Sequence, residues 1–182
     1  EQFPAIATFR TSPLLSLAAL LGMASLSTYN WLTRFDGPAE YAHLPLDETD
    51  ILRGKVRAYL LVVVPLTAVT NVAAALYFGA GIIPAVLAIV LSWAASLYVV
   101  AITIRLAGLQ PNEMLLDAVT FMAFAVAAAA VFVPVFVLAL LYARFPLAAG
   151  LGVTVMIVAM TGVTGVLLRD LYRRDPVEDV EG

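Results

Sequence analysis

Apolar positions in this chain do not alternate with polar ones in the manner of strands or of one-sided helices. They come in long unbroken runs separated by short polar stretches. The runs cover about Pro13–Leu32, Tyr59–Phe78, Ile82–Ile104, Val119–Tyr142 and Pro146–Leu168, and none carries an Asp, Glu, Lys, Arg or His between its ends. Each is about the 20 residues that an α-helix needs to cross ~30 Å of hydrocarbon. They are apolar on every face, whereas a membrane β-barrel shows strands of about 10 residues with alternating hydropathy. The pattern predicts an all-α, polytopic helical membrane protein with about five transmembrane helices in one domain.

Composition agrees: 63% of the 182 residues are hydrophobic and 13% charged. A soluble domain of this length has too little interior for that much apolar surface. With no cysteine in the chain, disulfides and thiolate metal sites are excluded. The single histidine, His43, cannot form a histidine cluster. Nine of the ten basic residues are Arg, which we read as the mark of a GC-rich genome and not of nucleic-acid binding. The chain opens at Glu1 without a charged segment and apolar core of the signal-peptide kind. We therefore expect a fragment of a longer protein.

The connections differ in kind. Gly79-Ala80-Gly81 and Ala143-Arg144-Phe145-Pro146 are tight turns between antiparallel spans. Gly108 to Asn112 is a loop rich in breakers, and Pro134 predicts a kink inside the fourth span. Residues 169–182 form a charged tail. The longest polar segment is Thr33–Ala58, and its second part, Leu44–Arg57, is the most charged short stretch of the chain. Pro45 keeps Leu44 out of helical geometry. Asp47 then reads as an N-cap, with Glu48 and Asp50 near the positive end of a short helix. Ile51, Leu52 and Val56 give that helix an apolar stripe. Eight basic residues (Arg34, Arg53, Lys55, Arg57, Arg105, Arg169, Arg173 and Arg174) fall on one side of a five-span layout, and only Arg10 and Arg144 on the other. Basic residues accumulate on the cytoplasmic side. The expected protein is thus multi-pass in a prokaryotic plasma membrane, with its N-terminus outside and its C-terminus and the Leu44–Arg57 stretch inside.

Candidate chemistry is sparse. Asp36, Glu40, Asp47, Glu48 and Asp50, with His43, would be the material for a metal or general-base cluster. The nearest enzymatic pattern is the Asp-Gly-x-x-Ala-Arg opening of the CDP-alcohol phosphotransferases. Asp36-Gly37 begins it, but Glu40 and Tyr41 stand where Ala and Arg belong, and the later aspartate spacing fails. Solvated loop charge and helix capping account for the same acids. Gly54-Lys55 lacks the glycine-rich run of a phosphate-binding loop, so no nucleotide site of that kind exists here. Within the spans, Thr67, Thr70, Asn71, Ser92 and Ser96 are the polar groups that a substrate pathway would use. Interhelical hydrogen bonds and bonds back to the helix are the plainer reading of the same residues.

The arrangement resembles the permease subunits of ATP-binding-cassette transporters of the type-2 exporter class. In that family a polar segment carries a Leu-Pro signature, a short coupling helix and then Gly-Lys at the start of the next span. Here these are Leu44-Pro45, Asp47–Leu52 and Gly54-Lys55 ahead of Tyr59, and the Gly108-Leu109-Gln110-Pro111-Asn112 loop is similar as well. The resemblance implies an ATP-binding partner subunit and a second permease half, as homo- or heterodimer. It implies no enzymatic activity and no cofactor in this chain, ATP being bound by the partner. ATPase coupling would fall to Leu44, Pro45, Leu46, Asp47, Glu48, Asp50, Ile51, Leu52 and Lys55. This chain would then be spans two to six of a six-span half. The family places re-entrant helices between its last two spans, where this chain has only Ala143–Pro146. The other expectations are a membrane enzyme using the loop carboxylates, and a membrane assembly protein that transports nothing.

Overall fold

The structure is a computed structural model. It describes the backbone at residues 3–33, 48–108 and 117–173 and the side chains at 13–33, 49–108 and 117–169. Every element among the described residues is an α-helix: α1 (Phe3–Ala24), α2 (Leu26–Thr33), α3 (Glu48–Phe78), α4 (Ile82–Ala107), α5 (Ala118–Tyr142) and α6 (Pro146–Arg173). Four of them, α3 to α6, are long and apolar enough to cross a bilayer. The chain is a helical, multi-pass membrane protein.

The expected first span, 13–32, is divided. It consists of the second half of α1, a one-residue turn at Ser25, and α2. The helical ladder is disturbed there because Thr28 N–H bonds the Ser25 carbonyl at 3.0 Å, three residues back, while the Ser25 hydroxyl donates to the Gly22 carbonyl at 2.6 Å. The expected short helix from Asp47 to Leu52 also takes another form. Asp47 lies outside the described residues, and Glu48 onward is the beginning of one uninterrupted 31-residue helix running to Phe78. Nothing between Asp50 and Tyr59 breaks the ladder, and Gly54 costs only about 1 kcal/mol inside a helix.

The two tight turns are as expected. At the first, Gly79 takes φ 62°, and the Ala80 N–H reaches back to the Ala75 carbonyl at 2.8 Å. This is a left-handed helix ending that glycine adopts without penalty. At the second, only Ala143–Phe145 separates α5 from α6, and Pro146 occupies the first helical position. No re-entrant element stands there. Helix α4 runs to Ala107, past Arg105, and ends where Gly108 turns to φ 57°.

Helix α4 is the axis of the bundle. Of its most apolar 18-residue window 61% is buried, against 22–33% for the other three long helices. Ala88, Ala94 and Ala95 let neighbours approach it closely, and Leu91, Val99 and Ile102 fill the gaps. Against it lie Leu14, Leu15, Ala18 and Ala19 of α1, Phe132 and Val135 of α5, and Val153, Ile157 and Met160 of α6. The outer surface carries Leu61, Leu66, Val69, Leu76, Leu140, Leu151 and Val166, all more than half exposed, as lipid-facing positions should be.

The tightest contact is between α1 and α4. A Cβ added to Gly22 would sit 2.3 Å from the Ala95 Cβ and 3.2 Å from the Ser92 carbonyl oxygen. Gly22→Ala should therefore lower the unfolding temperature in detergent, at an overpacking cost of about 1–3 kcal/mol. Gly22→Ala with Ala95→Gly should recover most of the loss. Gly162→Ala, where no atom lies within 4 Å, should be neutral or stabilising. An unchanged melting temperature for Gly22→Ala would show that the two helices are not in this register.

Candidate functional site

The site is organised by α3. Its buried positions include Leu52, Val56, Tyr59, Val63, Thr67 and Asn71, spaced by three or four residues along one face, with Lys55 and Ala75 buried beside them. The stripe begins apolar and becomes polar with depth. At its start, Leu52, Val56 and Tyr59 pack with Tyr29 of α2, Val100, Ala101 and Ile104 of α4, and Leu168 of α6. The beginning of α3 and the ends of α2, α4 and α6 thus meet at one end of the bundle.

One group of polar contacts joins three helices beside the Ser25 turn. The Ser25 hydroxyl lies 2.6 Å from the Tyr59 hydroxyl, which also approaches the Ser96 carbonyl at 3.4 Å. The Tyr29 ring stands edge-on to that of Tyr59, at 5.9 Å between centres and 85° between planes. A second group lies deeper. The Asn71 amide donates to the Thr67 carbonyl at 2.8 Å and to the Ser92 hydroxyl at 3.0 Å, and Ser92 donates to the Ile89 carbonyl at 2.8 Å. The Trp93 indole N–H donates to the Val64 carbonyl at 3.2 Å, a third tie between α3 and α4. Tyr98 ties α4 to α5 through the Ala127 carbonyl at 2.9 Å.

Of the five residues expected along a substrate pathway, Thr67, Asn71 and Ser92 come together and Ser96 joins the Tyr59 group. Thr70 stands apart on an exposed face, its hydroxyl returned to the Leu66 carbonyl at 2.8 Å. Asn71 and Ser92 are fully buried, so in this conformation they hold α3 to α4 and border no open channel. Asn71 Oδ1, Ser96 Oγ and the Tyr29 hydroxyl have no hydrogen-bond partner among the described residues. They are neutral groups that offer hydrogen bonds. Tyr59 was not singled out by its sequence, although the spacing from Leu52 to Asn71 already placed it on the inner face.

Of the nine residues expected to couple to an ATPase, Leu44, Pro45, Leu46 and Asp47 lie outside the described residues, as does the Glu48 side chain. Asp50 is exposed and pairs with Arg53 at 3.2 Å. Ile51 is half-buried. Leu52 and Lys55 are buried in the chain itself, so Leu52 is not an outward contact. The stripe turns it toward Tyr29, and a partner at that end would meet Asp50 and Ile51 instead.

Asp36, Glu40 and His43 lie outside the described residues, and no group of three metal-ligating side chains occurs among those described. One acid outside the expected sites has a definite role. Asp117 caps α5, accepting from Val119 N–H at 3.2 Å, Thr120 N–H at 3.1 Å and the Thr120 hydroxyl. Bonds from Thr120 first, then from Val119, hold its carboxyl below the usual range. The signal for it was an acid three residues before Thr120 at the head of an apolar run.

Compared with models of protein families, with curated proteins and with solved structures, the chain has no match.

The bond between Ser25 and Tyr59 should show as a coupling. In a double-mutant cycle of Ser25→Ala and Tyr59→Phe, unfolding in detergent should give an interaction energy of about 0.6 kcal/mol, the usual size for a hydrogen bond between membrane helices. Strict additivity would remove the bond from the account.

Proposed function

We propose that this chain is the transmembrane permease component of an ATP-driven transporter. Substrate would cross in response to ATP hydrolysis by a separate ATP-binding subunit, with a second permease half completing the path. The observation that carries this reading is the continuity of α3. Its charged first turns, with Asp50 exposed and Arg53 partly buried, belong to the same continuous helix that passes Pro65 and reaches Asn71 in the interior. A push on Asp50 or Ile51 from a cytoplasmic partner would reach the Tyr59 contact with α4 directly, and the Asn71 contact across Pro65, where the ladder lacks one hydrogen bond. Leu52 would transmit that movement from inside the bundle. Such a bundle is a switch when its arrangements differ in their contacts with the partner. In this reading the Asn71–Ser92 pair, which is fully buried, would belong to a closed arrangement.

Membrane extraction and purification should bring an ATP-binding subunit along with this protein. Ile51→Ala should weaken that association about 30-fold, since truncating an interface anchor costs about 2 kcal/mol or more. Leu52→Ala should instead destabilise the bundle, by about 2–5 kcal/mol. Purification without any ATPase, or full association and transport by Ile51→Ala, would refute the coupling role.

Orientation is tested separately, and single-cysteine labelling suits a chain with no cysteine of its own. In intact cells an impermeant maleimide should label Phe145→Cys and leave Arg105→Cys untouched. The opposite pattern would invert the arrangement and place α3's charged start outside.

A further inference from the structure

On the outer side of α3 a groove of about 550 Å³ is lined by Arg57, Leu60, Leu61, Val64 and Pro65. These positions are i, i+3, i+4, i+7 and i+8, so the groove follows one face of a single helix away from its charged start. Its length is set by the helical rise: eight residues at 1.5 Å give about 12 Å. One leaflet of a bilayer is about 15 Å of hydrocarbon, half of the ~30 Å core. Arg57 stands at the head of the apolar stretch that begins at Ala58, which puts its guanidinium at headgroup level and the rest of the groove at acyl-chain level. Leu61 is 78% exposed, so the groove opens to lipid.

Charge selects among lipids. Arg57 is exposed, and no ion pair joins it to another described residue. Arg105 at the end of α4 and Arg169 near the end of α6 are exposed at the same end of the bundle. The rim is therefore positive where the groove begins.

We propose that this groove binds one anionic phospholipid, its phosphate on the Arg57 guanidinium and the upper part of one acyl chain along Leu60, Leu61, Val64 and Pro65. A free phosphate would satisfy Arg57 but leave the apolar length of the groove unfilled. A zwitterionic lipid brings its own cation to the phosphate and gains less from the positive rim. This binding does not depend on the transport reading.

The experiment is native mass spectrometry of the purified protein with matched amounts of phosphatidylglycerol and phosphatidylcholine. The protein should retain phosphatidylglycerol about fivefold more than phosphatidylcholine, which is the ~1 kcal/mol that a basic side chain gains at an anionic surface. Arg57→Gln should abolish the preference, Arg57→Lys should keep most of it, and Arg105→Gln should leave it intact. Val64→Trp, which fills the groove, should reduce retention of both lipids. Glycerol phosphate in excess should displace nothing. The proposal is overturned if Arg57→Gln keeps the preference, if Arg105→Gln loses it equally, or if glycerol phosphate competes as well as the lipid does.

Discussion

Between helices in a bilayer there is no water to expel, since lipid tails are as apolar as leucine. What holds such helices together is close approach and a few hydrogen bonds. The contact of α1 with α4 at Gly22 and Ala95 is where this constraint is sharpest. With no side chain on one helix and a single methyl on the other, dispersion forces act over the full length of the contact. The alanines of α4 share one buried cluster with the inner faces of α5 and α6. The polar ties to α3 then add direction, because a hydrogen bond specifies an orientation that methyl packing does not. A scaffold of α1 with α4 and a more hydrogen-bonded α3 is the result.

That division bears on the transport reading. The α1–α4 contact has little room for sliding, since a shift of one residue would bring larger side chains into the Gly22 position. The α3–α4 contact is different, being made by side chains that can exchange one polar partner for another. Three polar atoms near it, on Asn71, Ser96 and Tyr29, are available as alternative partners. A movement entering at the start of α3 would therefore be taken up along this seam and not at the axis of the bundle.

Much of this was legible in the chain before any coordinates. Unbroken apolar length identifies α3 to α6, and the Gly79 and Ala143 turns fix their antiparallel pairing. The break at Ser25 was not legible, because Ser25, Ser27 and Thr28 are compatible with a helix. Only the tertiary partner of the Ser25 hydroxyl, Tyr59, which is 34 residues away, gives the turn its place. The burial of Leu52 was missed for a related reason. In a short separate helix it would be surface, but once Glu48–Phe78 is one rod, its phase at position 52 is dictated by Tyr59 and Asn71. Thr70 and Asn71 are neighbours in sequence, and nothing but helical phase sends one outward and the other to the core. Asp36, Glu40, His43 and the Leu44–Asp47 signature fall outside the described residues, so that part of the sequence reading rests on the motif alone.

The four long helices carry no Asp, Glu, Lys, Arg or His in their apolar stretches, and their charged residues lie toward the ends. The electric field of an energised membrane acts on charge that moves through it, at about 2.3 kcal/mol per elementary charge per 100 mV. Rearranging these helices displaces no charge through the core. The apolar stretches of α3 to α6 are therefore electrically silent, and membrane voltage would act on these four helices only through the charged residues toward their ends.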